Sequence, residues 1–425
     1  MPETRRLVNT QTFTLWACVV LSSLVLPAGG FALGLHVLLL LGVAGFLLAS
    51  GAQTRSLGPW EWTFALTLAA HSIYMLGFSF CADLQAKSLL SLALFAAVLL
   101  ALRLLAQQAG APELAKPLRV ILLVSVASVV IDRVFLTVTG ASAAIRPSGI
   151  FKEPSHLALA VTPLLLAMLF SPRRRDAIWA LVGFAVLTTL SASSTLIVMF
   201  LPLAVVVFLL RYWRELKWMT VLKAGLIAGL LGTALAASPY LDEFGARLEG
   251  LITQDESSNL SSLVYLYGWD AALINFERTS GWGLGFNRMG CSPIPDSDFA
   301  SIIDLIGDLN ANYNDGSFTF AKVMSEAGWL SVVLWLGLAL ALIKRAWTLA
   351  HCDRLFFQRE VLAFAAIFVL VVGGLVRGSN YFAGPVLLGV YALFLAHSPR
   401  PGARPRAQSS SGLVPDAAAD KIGVA

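Results

Sequence analysis

The stretch LALAVTPLLLAMLFSPRRRDAIWALVGFAVLTTLSASSTLIVMFLPLAVVVFLLRYWRELK, residues 157–217, decides the fold. Three apolar runs, 157–170, 177–192 and 195–213, are separated first by SPRRRD (171–176) and then by the small polar hairpin SASS (191–194). RYWRELK (211–217) closes the third. Runs of this kind approach the roughly 20 residues a helix needs to cross a bilayer. Lys and Arg collect on the cytoplasmic side of such helices. The alternation basic, small, basic therefore reads as consecutive spans with both basic clusters inside and SASS outside. Shifting the frame by one span would split the two clusters between opposite faces.

The rest of the chain extends the pattern. Of 425 residues, 57% are hydrophobic and 13% charged, against about 25% charged in a soluble domain; mean hydropathy is +0.77. The class is an all-α, polytopic integral membrane protein. Spans are expected at about 13–29, 31–50, 60–80, 88–106, 120–139, 157–170, 177–192, 195–213, 220–237, 321–343, 361–377 and 381–397, twelve in all. The membrane domain is then 1–398, with a large outer loop at 238–320 and a disordered cytoplasmic tail at 399–425, rich in Pro, Arg, Ser and Ala. With both termini inside, 21 of the 30 Lys and Arg lie on or near the inner face. The apolar start, preceded by TRRLV (4–8), reads as an uncleaved first span held by inside positive charge.

This frame leaves four outer segments: 140–156, 191–194, 238–320 and RGSNYF (377–382). Nine cations remain outside or within the membrane: Lys87, Arg133, Arg146, Lys152, Arg247, Arg278, Arg288, Lys322 and Arg377. Each runs against the topology rule and is a site candidate on that ground. Arg133 stands beside Asp132, which favours local or interhelical pairing. The loop 238–320 holds 12 of the 25 acidic residues, which argues against a nucleic-acid partner. Within it, Leu260, Val264, Tyr267, Ala271, Ile274 and Arg278 recur at helical spacing after Ser257 and Ser258. An amphipathic interfacial helix is expected there, with Arg278 ending the stripe that faces the membrane-embedded body.

Arg stays charged when partly desolvated and grips phosphate with two parallel hydrogen bonds. Arg146, Arg278 and Arg377 therefore suggest an anionic lipid headgroup or a pyrophosphate, against the plainer alternative that each pairs with a nearby acid. In RPSGIFKEPSH (146–156), Glu153 and His156 would share a face if a helix starts near Pro154; Glu153 alone would serve as a helix-dipole partner. GWGLG (281–285) lacks nucleotide-binding spacing and reads as a tight turn. DSD (296–298) resembles a metal-binding DxD but reads as a solvated acidic turn. The four scattered cysteines form no metal motif, and a Cys81–Cys291 disulfide is conceivable only if both face out. Glu326 falls inside a span, followed by Gly328, where helices pack closely.

Five pieces in order resemble the bacterial O-antigen polymerase (Wzy-type) family, within the wider O-antigen ligase/polymerase superfamily. They are RPSGIFKEPSHLA (146–158), LSASSTL (190–196), FERTSGWGLGFN (276–287), NDGSFTFAKVMSEAGWLS (314–331) and RGSNYF (377–382). The resemblance covers roughly residues 120–397 as a pattern of short motifs. It implies a glycosyltransferase at the periplasmic face of the inner membrane that uses no nucleotide sugar, metal or cofactor. Its substrates would be oligosaccharide repeat units on undecaprenyl pyrophosphate, and a chain-length regulator would be a further partner. Arg146, in its RxxG setting, and Arg278, before the glycine turn, match the arginines thought to hold the pyrophosphate. Related ligases carry a His where this chain has Ser317, with Asp315 nearby, which favours polymerase over ligase. Glu153, His156 and Asp315 are the candidate bases for the acceptor hydroxyl, Glu153 first. The rival readings are a ligase of the same superfamily, a flippase for lipid-linked oligosaccharide, and a scaffold of the envelope machinery. The 83-residue outer loop and the absence of repeated halves weigh against the flippase.

Overall fold

A computed structural model describes residues 10–28, 31–52, 56, 59–76, 85–109, 114–140, 146–212, 225, 260–290, 299–301, 316–352, 357–378 and 380–397. In chain order these form α1 (Thr10–Val19), the hairpin strands β1 (Val25–Ala28) and β2 (Phe31–Gly34), α2 (Leu35–Ala49), α3 (Pro59–Leu76) and α4 (Gln85–Gln107). There follow α5 (Ala115–Val138), α6 (Pro154–Leu169), α7 (Arg174–Ser191) and α8 (Ser194–Tyr212). The rest are α9 (Leu260–Arg278), α10 (Thr319–Ala327), α11 (Trp329–His351), α12 (Phe357–Val376) and α13 (Gly384–His397). Five of them, α4, α5, α8, α11 and α12, are long and apolar enough to cross a membrane; α2, α6 and most of α13 are apolar but shorter.

The middle of the bundle is α6 with α12. Helix α6 carries no acidic or basic side chain beyond His156 and is buried along nearly its whole length, as an element apolar all round must be. It packs on α5, α7, α8 and α12, and α12 packs in turn on α11 and α13. Helix α12 contains one π-turn, Val369–Gly373, shortly before Arg377. The Trp335 indole donates to the Val371 carbonyl inside that turn, at 3.2 Å.

Helix α11 shows what lies outside the bundle. Trp329, Val333, Leu336, Leu340, Ile343 and Trp347 form a stripe that is exposed along the whole helix. An apolar face of this length marks a surface that lipid or another protein covers. The two tryptophans lie 18 residues apart, about 27 Å at 1.5 Å per residue, close to the hydrocarbon thickness of about 30 Å. Tryptophans at both edges are the interfacial belt of a spanning helix.

Two expected spans are corrected. The first run, 13–29, is not one helix: α1 ends at Val19, and the chain continues into an antiparallel hairpin pairing Val25 with Gly34 and Ala28 with Phe31. Pro27 removes a backbone donor that a helix would need. The run 321–343 is likewise broken at Gly328, so α10 is a short separate helix and α11 is the piece long and apolar enough to cross a membrane. The run 220–237 except Gly225, most of the loop 238–320, Cys81, Cys291 and the tail lie outside the described residues.

The two ends of the bundle differ in chemistry. One end gathers basic residues: Arg119 pairs with Asp176 at 3.1 Å, Arg345 with Glu360 at 2.6 Å, and Arg211 lies over the Phe357 ring. The Ser171 hydroxyl donates to the other Asp176 oxygen at 2.7 Å, so the basic SPRRRD turn is tied to α5 through a fully buried carboxylate. Arg119→Ala leaves Asp176 one partner short. Because the Arg119 side chain is 30% exposed, the expected loss is about 1–2 kcal/mol, between a surface pair and a buried one. Thermal unfolding in detergent measures it.

Candidate functional site

At the opposite end, the four segments expected on the outer side are joined to one another. Helix α6 starts at Pro154, whose ring presets φ at the first helical position, with Glu153 in extended backbone ahead of it. The Ser193 hydroxyl of the SASS hairpin donates to the Pro154 carbonyl at 3.2 Å. His156 donates from Nε2 to the Gly378 carbonyl at 3.2 Å, which ties RPSGIFKEPSH to RGSNYF. The next carbonyl back, of Arg377, accepts from the Thr319 N–H at 3.2 Å. Gly378 lies so close to Ser317 that a Cβ there would sit 2.7 Å from the Ser317 carbonyl oxygen.

The segment carrying Arg146 is held by a residue that reasoning from sequence placed elsewhere. Asp132 does not pair with Arg133. Its Oδ2 accepts the backbone N–H of Ser148 at 2.8 Å and of Gly149 at 2.9 Å. The RPSG turn is thereby fixed onto the end of α5, with Arg146 half-buried in it. Hydrogen bonds to a charged acceptor contribute about 1.5–3 kcal/mol each. Asp132→Asn keeps the shape but not the charge, and is expected to loosen this turn by about 2 kcal/mol. Hydrogen–deuterium exchange across 146–153 should rise roughly tenfold or more while the bundle helices keep their protection.

Glu153 and Lys152 are exposed, and His156 is half-buried. The Ser155 hydroxyl donates to Glu153 at 3.1 Å. His156 stands one residue ahead of the apolar run. Burial pushes its imidazole below the usual range, against the upward pull of Glu153 and of the Gly378 carbonyl and with the help of Lys152 and Arg377. A neutral ring that donates from Nε2 keeps its lone pair on Nδ1. The start of α6 thus places a neutral imidazole that feels the Glu153 carboxylate on one hand and the Lys152 and Arg377 charges on the other.

Helix α9 exists as expected, but its buried side is turned. Leu263, Tyr267, Ala271, Ala272 and Asn275 are buried, whereas Arg278 is exposed next to Glu277. The expectation that Arg278 points into the bundle is therefore corrected. The reason is steric. Gly268 meets Ser317 and Phe318 so closely that a Cβ would lie 2.7 Å from the Ser317 Cβ. Gly268 and Ala272, flanked by Tyr265 and Trp269 on the Phe318 ring, make the face that meets α10. Ser317 adopts φ 62° there, and its buried hydroxyl makes no hydrogen bond among the described residues. Asp315 lies outside the described residues.

The GWGLG turn follows, with positive φ at Gly281, Gly283 and Gly285. It lies against the α10–α11 break: Leu284 N–H donates to the Ser325 carbonyl and Gly285 N–H to that of Glu326, both at 2.8 Å, and Trp329 N–H donates to the Gly281 carbonyl at 2.9 Å. Its far side is fixed to α3 and α4. His71 Nε2 donates to the Trp282 carbonyl at 2.8 Å, the Ser88 hydroxyl to that of Phe286 at 2.6 Å, and Arg288 to that of Met75 at 3.1 Å. His36, at the start of α2, donates to the Phe382 carbonyl at 2.6 Å. Three histidines on three helices thus each hold a loop carbonyl at this end. Sequence reasoning singled out only His156, because an isolated His in an apolar helix gives no sign of a distant carbonyl partner.

Arg146, Arg278 and Arg377 therefore lie on segments that meet at one end of the bundle, with His156 bonded to the residue after Arg377. Among the described residues no three His, Cys, Asp or Glu side chains are grouped to share a metal ion. No protein-family model matches the chain, and no curated protein matches it.

Proposed function

We propose that this chain is a polysaccharide polymerase of the O-antigen or exopolysaccharide type. It joins undecaprenyl-pyrophosphate-linked oligosaccharide repeat units at the periplasmic face of a bacterial inner membrane, through a twelve-span domain with both termini inside. The observation that carries this reading is the hydrogen-bonded meeting of 146–156, 191–194, 281–290, 316–327 and 377–382 at one end of the bundle. That end lies opposite the one that gathers Arg119, Arg345 and Arg359.

On this reading Arg146, Arg278 and Arg377 hold the pyrophosphate of the donor. The acceptor sugar hydroxyl loses its proton to a base and its oxygen attacks the anomeric carbon of the donor. The anomeric C–O bond to phosphate breaks, and the lipid pyrophosphate leaves with the electron pair. Fixed cations stabilise the charge that develops on that leaving group. Glu153, His156 and Asp315 remain the candidate bases, the first two adjacent at the start of α6. The lipid tails lie along apolar faces such as α11, which holds both reactants at one depth.

The test is the length distribution of surface polysaccharide in cells lacking the gene. Single-repeat product, with lipid-linked repeats accumulating on the outer leaflet, is expected, and the wild-type gene should restore a full ladder. Normal polymer without the gene would overturn the reading; accumulation on the inner leaflet would point to a flippase instead.

A further inference from the structure

We infer that Glu326 is a positioning residue: its buried carboxylate holds the glycine turn and the 377–382 connection against α10, and so sets where Arg278 and Arg377 stand relative to each other. The inference rests on the proposed reading of those arginines. It names a residue that the reading itself does not use.

Glu326 is fully buried. Its Oε2 accepts the Asn287 N–H at 2.7 Å and the Tyr381 hydroxyl at 2.6 Å. Its Oε1 accepts the Met289 N–H at 3.0 Å and faces the Lys322 ammonium at 3.9 Å. Among the described residues every group on the carboxylate is a donor. Two belong to the turn that follows Arg278, one to the connection that follows Arg377, and one to α10 itself. A carboxylate has about four lone-pair sites and no proton, so it matches this ring of four where no other side chain of its shape does.

The partners are fixed in their roles. Tyr381 points its hydroxyl proton at Glu326, since a carboxylate oxygen can only accept. Lys322 is buried and lies over the Tyr381 ring at 5.5 Å. The turn cannot shift freely on its other side either, since Asn287 donates to Ser91 at 3.0 Å. The carboxylate therefore couples segments 37 to 55 residues apart in the chain.

Gln at position 326 separates charge and acceptor pattern from shape. Its amide oxygen can serve Asn287 and Tyr381, but its NH2 group then meets the Met289 N–H and the Lys322 ammonium, donor against donor. The experiment uses detergent-purified full-length protein with inorganic pyrophosphate as probe, titrated well below each variant's melting temperature. Wild type should bind. Arg278→Ala and Arg377→Ala should lose binding. Glu326→Gln should weaken it roughly tenfold and Tyr381→Phe roughly threefold. Arg119→Ala, a destabilising change at the opposite end, should leave it unaltered and so separates positioning from loss of stability.

If wild type binds and both arginine variants fail, but folded Glu326→Gln binds like wild type, the inference is wrong and the reading stands. If wild type does not bind pyrophosphate, or the arginine variants bind as wild type does, the reading falls and the inference with it. Where Glu326→Gln does not accumulate in membranes, Tyr381→Phe decides: unchanged affinity overturns the inference, weakened affinity supports it.

Discussion

Gly328→Ala is expected to leave little folded protein in the membrane. Gly328 adopts φ 55° and ψ −129°, a combination open to glycine and closed to residues with a Cβ. A methyl group there would also fall inside the van der Waals radius of the Gly281 carbonyl oxygen and 2.7 Å from the Trp282 carbonyl carbon. The two backbones meet without side chains between them, and Gly283 repeats the arrangement against the Glu326 carbonyl at 2.5 Å. The clash cannot relax by moving one loop, because the turn is fixed to α3, α4 and α10 on three sides. Backbone strain of about 1–3 kcal/mol adds to an overpacking cost of about 1–3 kcal/mol. The sum, about 4 kcal/mol, is a large part of the stability of a typical domain. Gly337→Ala, in the middle of α11 with none of the described residues within 4 Å of the new methyl group, should be neutral or slightly stabilising. Membrane yield and melting temperature of the two variants in detergent make the comparison. Equal values would overturn this account of the helix break.

That break marks the limit of what hydropathy reveals. Where an apolar run is long and uninterrupted, helix and sequence agree closely: the run 195–213 is α8, Ser194–Tyr212. Hydropathy alone does not separate a helix from a strand or a bend. The run 13–29 stays apolar through the end of α1 and into the hairpin, and only Pro27 and the Gly29–Gly30 pair hint at a change. The run 321–343 reads as one span because Gly328 differs from any other small residue only through its backbone angles. The site divides in the same way. Local features were legible, such as the helix start at Pro154 and the turn at 281–285. Long-range partners were not. Asp132 looked like a mate for its neighbour Arg133, but its Oδ2 serves a turn 16 and 17 residues on. Glu326 looked like a stray acid in a span, and its role depends on donors from two distant loops.

Arg146→Ala and Arg278→Ala are each expected to reduce polymer formation by about a hundredfold on the polymerase reading, with single repeats as the main product. A departing pyrophosphate gains negative charge as its bond to the sugar breaks, and a fixed cation stabilises that change more than it stabilises the bound donor. Removing one preorganised donor of this kind costs about 10²–10³ in rate. Lysine restores the charge but not the two-pronged geometry, so Arg278→Lys should recover part of the ladder. Arg278 is the stronger test because it is exposed at the end of α9, where its loss disturbs packing least. Arg146 sits in the turn held by Asp132, so its variant needs the exchange pattern of 146–153 as a check on local order. Arg133→Ala supplies the control: Arg133 is exposed beside Asp132, and its loss should leave the ladder intact. The measurement is the polysaccharide length distribution on a gel, from cells carrying each variant at matched membrane levels. A full ladder from both alanine variants would remove Arg146 and Arg278 from the site while leaving the polymerase reading to the gene-loss test. A ladder lost equally with Arg133→Ala would show that any change of charge at this end disrupts the protein, and would strip both arginines of a specific role.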